Sequence, residues 1–109
     1  MNATTSAMAR HAVELLTEIS EQKWFRGCTD GHYYRSHVHD VTHVGIVRML
    51  SQDADVVADL HTAEYASDDG DERRLVPEGD SAPIPMRYLV ITAKGRTVLD
   101  AVTDSQRRR

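Results

Sequence analysis

One short stretch near the C-terminal end restricts the fold more than any other part of this chain. Residues 86–91 are rich in β-branched and aromatic side chains and follow Pro85, which predicts a β-strand. Thr92 is then placed to cap a helix that we predict at about residues 93–104. The chain must therefore turn sharply from a strand into a helix at this point.

Hydrophobic periodicity predicts two further helices and a second strand. Apolar residues recur at helical spacing over residues 6–21 and predict the first helix there. Asp40 and Thr42 are both suitable N-caps for a second helix at about residues 41–53. Residues 56–66 favour a strand because β-branched residues and an alternating pattern occur there, although their Ala and Glu content is also compatible with a helix.

Residues 67–85 are expected to form a long exposed loop, with a brief strand at residues 74–76. This loop holds all three prolines and a run of acids, which do not pack as a core element. The wider span 53–80 carries ten acidic residues against two arginines, a formal charge of −8, while the whole chain carries −4. The rest of the chain is therefore net positive, and a basic face is compatible with the acidic total. For residues 22–36, the sequence is compatible with either a short strand or a short helix.

Length and composition indicate a single domain over residues 1–109, which ends in a basic tail at residues 105–109. A chain of 109 residues supports one modest core, and its single cysteine, Cys28, excludes a disulfide framework. No apolar run approaches the length of a membrane span, and no signal peptide is evident at the N-terminus. We therefore expect a soluble, cytoplasmic protein that does not engage a membrane.

The predicted strand and closing helix contain a spaced set of residues that resembles the end of the wing in MarR-like and PadR-like transcriptional regulators. The matching residues are Tyr88, Ile91, Thr92, Gly95, Arg96 and Leu99. Thr caps the new helix, and Gly lets the helix and the sheet approach closely. The resemblance implies an α+β winged helix-turn-helix fold with about three to four helices and a two- to three-stranded antiparallel wing. It also implies a sequence-specific, DNA-binding transcriptional regulator that acts as a homodimer.

On that interpretation, residues 41–53 form the recognition helix and residues 67–85 the wing loop. The residues expected to contact double-stranded DNA are Arg35, Thr42, His43, Gly45, Arg48, Gln52, Lys94 and Arg96. Arg and Gln can pair with guanine and adenine edges, and the other cations can meet phosphate oxygens. The alternative for the helix residues is a solvated face, and the alternative for Arg96 is a structural role.

A histidine-rich segment suggests a second hypothesis, a metal- or ligand-gated sensor. Its candidate ligands are Cys28, His32, His37, His39 and His43. On a helix, His39 and His43 would share a face and could hold zinc, although histidines in loops are also common surface residues. No other cofactor is expected.

The remaining motifs do not point to an enzyme. The sequence has no nucleophile elbow, no phosphate-binding glycine loop and no pair of carboxylates in an apolar setting. A third hypothesis follows from the acidic wing loop, which can contact a basic protein partner in place of DNA.

Overall fold

The computed structural model describes residues 3–40 and 43–107. In chain order its elements are α1 (Ala3–Ser20), β1 (Trp24–Gly27), β2 (Tyr33–Asp40), β3 (His43–Arg48), α2 (Gln52–Thr62), β4 (Ala66–Asp68), β5 (Arg73–Leu75), β6 (Ile84–Ile91) and α3 (Ala93–Arg107). The predicted α+β class is confirmed.

The strands form one six-stranded sheet in which every neighbouring pair is antiparallel. The order is β3-β2-β1-β6-β4, and β5 also pairs with β6. β4 pairs with residues 89–91 of β6 and β5 with residues 84–86, so the two short strands follow each other along one edge. Residues 69–72 form the acidic turn that separates them. β6 is therefore bonded along both edges.

The three helices pack together on one face of the sheet and enclose the larger core. Its buried side chains are Leu15, Leu16, Ile19, Trp24, Val57, Leu60, Ala66, Leu89 and Leu99. The helical spacing that predicted α1 is the spacing of its buried side chains. Burial of one such aliphatic side chain stabilises the fold by roughly 1.5–3 kcal/mol relative to exposure.

The opposite face of the sheet carries a smaller core, because successive side chains of a strand point to opposite faces. Phe25, Tyr34 and Met86 are its buried members. The connection between β5 and β6 folds over this face: Pro77 is fully buried, and the Glu78 N–H donates to the Ile46 carbonyl at 2.8 Å. The predicted exposed loop 67–85 is thus wrong in part, since its two ends belong to β4 and β6 and Pro77 within it is buried.

The predicted helix at residues 41–53 is wrong. In the described part of this range, residues 43–48 form β3 and α2 begins only at Gln52. The sequence Val44-Gly45-Ile46-Val47 is suited to a strand, and pairing with β2 satisfies its backbone hydrogen bonds. The apolar residues here fit one stripe of a helix, but they fit equally well a strand of a sheet that has a core on each face.

The predicted strand at residues 56–66 is also wrong, because α2 occupies most of it. The Ser51 side chain caps the helix by accepting from the Asp53 N–H at 3.3 Å. Val57 and Leu60, three residues apart, lie on its buried side. Tertiary packing of this face outweighs the strand preference of the two adjacent valines.

The other predicted elements are confirmed with shifted ends: the helix at 6–21 as α1, the strands at 74–76 and 86–91 as β5 and β6, and the helix at 93–104 as α3. The winged helix itself is not confirmed. Within the described ranges, three strands and no helix stand between α1 and α2, and the sheet has six strands in place of a small wing.

Candidate functional site

The residues predicted to read DNA are not presented together on a helix. Gly45 and Arg48 lie on β3, and Gln52 begins α2. His43 begins β3, but its side chain lies outside the described part of the structure, as does Thr42 altogether. The arrangement expected for a recognition helix over residues 41–53 is therefore absent from the described chain.

Two predicted phosphate-binding cations have partners inside the molecule. The Arg35 guanidinium donates to Glu18 Oε2 at 2.5 Å and lies 5.8 Å from the centre of the Trp24 ring. Lys94 Nζ donates to the Ala63 carbonyl at 2.8 Å and lies 4.7 Å from the Tyr65 ring. Arg35 thus joins β2 to α1, and Lys94 satisfies a carbonyl at the C-terminal end of α2.

The side chains of Arg48 and Arg96 are exposed, as is that of Lys94. They lie on β3 and in the first turns of α3.

The exposed side of α2 is acidic. Gln52, Asp55, Asp59 and Thr62 are exposed and recur at helical spacing, so they form one stripe, called here the acidic face of α2. The sequence of α2 contains three aspartates and neither lysine nor arginine. A helix with this charge repels phosphates, which supply most of the affinity of DNA-binding proteins.

A shallow groove of about 270 Å³ runs beside this helix. Its lining includes Met49, Leu50, Ala54, Asp55 and Ala58, and we call it the Leu50 groove. Leu50 is 78% exposed, more than any other large hydrophobic side chain in the described residues. The groove therefore combines apolar surface with one carboxylate.

The predicted metal ligands do not converge in the described part of the chain. Cys28 is exposed in the turn after β1, His32 precedes β2, and His37 lies on β2. The side chains of His39 and His43 lie outside the description. Among the described residues, no group of three His, Cys, Asp or Glu side chains is arranged to hold a metal ion.

The sequence did not indicate a polar cluster that the fold builds around His61, called here the His61 network. His61 Nδ1 lies 3.0 Å from an Arg26 guanidinium nitrogen and 3.0 Å from the Tyr33 hydroxyl. Its Nε2 lies 3.2 Å from Asp68 Oδ1. Because a guanidinium only donates, Nδ1 accepts here, and the ring proton lies on Nε2 and faces Asp68.

The Tyr33 hydroxyl is a hydrogen-bond donor in this network. Burial raises the pKa of Tyr33, the nearby Asp68 carboxylate raises it further, and the Arg26 charge opposes both. The phenol therefore stays protonated at neutral pH.

An open cleft of about 320 Å³ adjoins the His61 network. Arg26, Gly27, Cys28, Gly31, Asp68 and Arg87 line it, and we call it the arginine cleft. Arg26 and Arg87 are directly opposed residues on β1 and β6. The two residues are 61 positions apart in the sequence, so no local sequence pattern could indicate this pairing.

One wall of the cleft is a tight turn stabilised by Asp30. The Tyr34 hydroxyl donates to Asp30 Oδ2 at 2.5 Å, and the His32 N–H donates to Oδ1 at 2.9 Å. Burial alone would raise the pKa of Asp30, but these two hydrogen bonds outweigh it and lower the pKa. Burial and the same carboxylate raise the pKa of Tyr34 to about 12. Gly31, with φ of 70°, completes the turn.

Comparisons with known proteins leave the site to be interpreted on its own. No family model, curated protein or solved structure matches this chain. Across residues 3–40 and 43–107, none of the helices combines the length and the apolarity needed to cross a membrane.

Proposed function

We propose that this protein is a protein-interaction module whose partner carries an apolar side chain next to a lysine or arginine. The observation that carries the proposal is the Leu50 groove. It places the most exposed large hydrophobic side chain of the described residues beside Asp55, on the acidic face of α2. Exposed apolar surface rimmed by polar groups is typical of protein-binding sites.

The order of elements in the C-terminal half is consistent with a winged-helix plan. The helix α2 is followed by the short strands β4 and β5, which both pair antiparallel with β6. A loop joins β5 to β6, and α3 follows β6. Two contacts at the start of α3 support this plan: the Gly95 N–H donates to Thr92 Oγ1 at 3.0 Å, and a Cβ built at Gly95 would lie 2.2 Å from the Tyr65 carbonyl oxygen. These features support a winged-helix variant with a β2–β3 hairpin ahead of α2.

Charge favours a protein partner over DNA for this variant. In the plan above, α2 is the helix in front of the wing, and it exposes Asp55 and Asp59. The acidic turn at residues 69–72 adds further negative charge. Close approach of these groups to a phosphate backbone is unfavourable, whereas a basic peptide pairs with them.

The experiment has two steps. Peptides are first selected from a random phage-displayed library on the full chain at low salt, and the best binder is then synthesised and titrated while ¹H–¹⁵N spectra are recorded. We expect it to contain an apolar residue next to Lys or Arg, and to shift the amide signals of Ala54, Asp55 and Ala58. Leu50→Ser should weaken binding at least about tenfold, and Asp55→Asn about two- to fivefold.

Matched controls lie outside the groove. Val76→Ser removes another exposed apolar side chain, and Asp71→Asn removes another exposed carboxylate. Both should bind the peptide as the parent chain does. Shifts that map away from the groove, or equal losses in the controls, would contradict the proposal.

Binding to DNA, the function predicted from the resemblance, is tested in parallel by fluorescence anisotropy with short duplexes over a salt series. Binding that prefers one sequence and weakens in Arg48→Ala and Arg96→Ala would replace the present proposal with a DNA-binding regulator. No binding at low salt would leave the protein partner as the surviving hypothesis.

A further inference from the structure

The arginine cleft contains two positive charges that the fold brings side by side. Arg26 and Arg87 face each other across β1 and β6, and both line the cleft. The cleft is distinct from the Leu50 groove, although Gly31 borders both. It therefore needs a separate explanation.

Neither guanidinium is neutralised within residues 3–40 and 43–107. Arg26 donates to neutral His61 Nδ1 at 3.0 Å, and Arg87 donates to the Asp69 carbonyl at 3.0 Å. No carboxylate lies within ion-pair distance of either group in that part of the chain. Each guanidinium is held by one hydrogen bond and retains further N–H donors.

The one acidic residue of the cleft is already engaged. Asp68 Oδ1 accepts from His61 Nε2 at 3.2 Å. This contact turns the Asp68 carboxylate toward the imidazole, and His61 in turn holds Arg26 in place. The His61 network thus positions one guanidinium and occupies the carboxylate that would otherwise compete for it.

We propose that the arginine cleft binds a phosphate monoester group. Such a group offers three acceptor oxygens and up to two negative charges, which suits two adjacent guanidinium forks. A carboxylate offers only two oxygens, and a phosphodiester carries a single charge. A volume of about 320 Å³ accommodates a group of this size.

The test is a titration of the full chain with inorganic phosphate in a phosphate-free buffer, followed by ¹H–¹⁵N spectra. We expect saturable shifts of the Gly27, Cys28 and Gly31 amides. Phosphoserine should bind comparably, and acetate and a dithymidine phosphodiester more weakly. Arg87→Gln should reduce phosphate affinity at least about tenfold. Arg74→Gln, which removes an exposed arginine of β5 outside the cleft, should leave it unchanged.

Arg26 also packs on Tyr33, at 5.4 Å from the ring centre, so removal of its side chain would disturb the fold as well as the cleft. The second variant is therefore Arg26→Lys. It keeps the charge but loses the fork, and affinity should fall while the spectrum remains that of the folded chain. Linear shifts that never saturate would overturn the proposal. An unchanged affinity in Arg87→Gln, or a preference for the phosphodiester over phosphoserine, would do so as well.

Discussion

At the scale of single residues, close packing explains why glycine is required at position 95. Gly95 is buried in the first turns of α3, and a Cβ built there would lie 2.2 Å from the Tyr65 carbonyl oxygen. That oxygen belongs to the backbone and cannot rotate away. The helix can approach the segment before β4 only because residue 95 has no side chain.

We therefore predict that Gly95→Ala destabilises the protein by about 1–3 kcal/mol, the typical cost of overpacking. Alanine is favoured over glycine in a helix by about 1 kcal/mol, so the clash must exceed this gain for the substitution to destabilise. Chemical denaturation monitored by circular dichroism measures the change. Gly70→Ala is the matched control: no atom lies within 4 Å of a Cβ there, and we expect a change within about 0.5 kcal/mol. Equal stability of the two variants would contradict the packing argument.

The Asp30–Tyr34 pair gives a second prediction at this scale. Hydrogen bonds from Tyr34 and from the His32 N–H lower the pKa of Asp30 below 3.8 in spite of burial. A lowered pKa in the folded state means that this contribution to stability is present above the unfolded pKa, and is lost as pH falls through the folded value. Tyr34→Phe removes the hydroxyl donor and leaves the ring in place.

Tyr34→Phe should thus cost more stability at neutral pH than at about pH 2, because the contribution of the charged carboxylate is lost as pH falls through the lowered pKa of Asp30. Parallel denaturation curves at the two pH values test this. The same loss at both values would mean that the carboxylate charge plays no part in the contact.

At the scale of elements, the contact between α1 and α2 contains an ion pair whose strength depends on pH. His11 Nε2 lies 2.8 Å from Asp53 Oδ1, and Arg35 lies 4.0 Å from the same carboxylate. The hydrogen bond to Asp53 raises the pKa of His11, together with a weaker contact to Glu14, and desolvation opposes the rise. The first turn of α2 is therefore tied to α1 most firmly when His11 is protonated.

We predict that the coupling between His11 and Asp53 is present below about pH 6.5 and disappears as pH rises through the raised pKa of His11. A double-mutant cycle with His11→Gln and Asp53→Asn measures it at about pH 5 and about pH 9. Because the side chains are partly exposed to solvent, added salt should reduce the coupling at the lower pH. A coupling that grew toward high pH would have the wrong sign for this ion pair.

At the scale of the whole molecule, the sheet has a well-supported middle and a lightly supported end. β6 is paired on both edges and packs against α1 and α3. β1 pairs only with residues 33–35 of β2, so the outer half of the β2–β3 hairpin is a two-stranded ribbon. Two of its valines, Val38 and Val44, are directly opposed and are 65% and 61% exposed.

This difference predicts graded protection from hydrogen exchange, because local opening is easiest where few apolar contacts hold the chain. The amides of Met86, Tyr88 and Leu89 should exchange slowest, and those of Val38 and Val44 much faster. Exchange followed by ¹H–¹⁵N spectra tests the order. Uniform protection along the hairpin and β6 would show that the ribbon has support beyond the described chain, such as a second copy.

The sequence determined the elements whose signals are local. The apolar spacing of Leu15, Leu16 and Ile19 defined α1, and the order strand, threonine, glycine defined the passage from β6 to α3. In these segments propensity, periodicity and capping agree, so no long-range contact is needed to choose between structures. The candidate DNA-binding residues and the recognition helix were inferred on weaker grounds, since Ile46 and Val47 suit a helix and a strand alike.

Tertiary structure decided which elements residues 43–66 form and where the proposed binding surfaces lie. β3 forms because β2 pairs with it, and α2 forms in spite of two adjacent valines because its buried face meets α1. The arginine cleft joins Arg26 to Arg87, and the His61 network joins Arg26 to His61. Such distant pairs leave no periodic trace in the chain, because their spacing is set by strand order and not by the repeat of a helix or a strand.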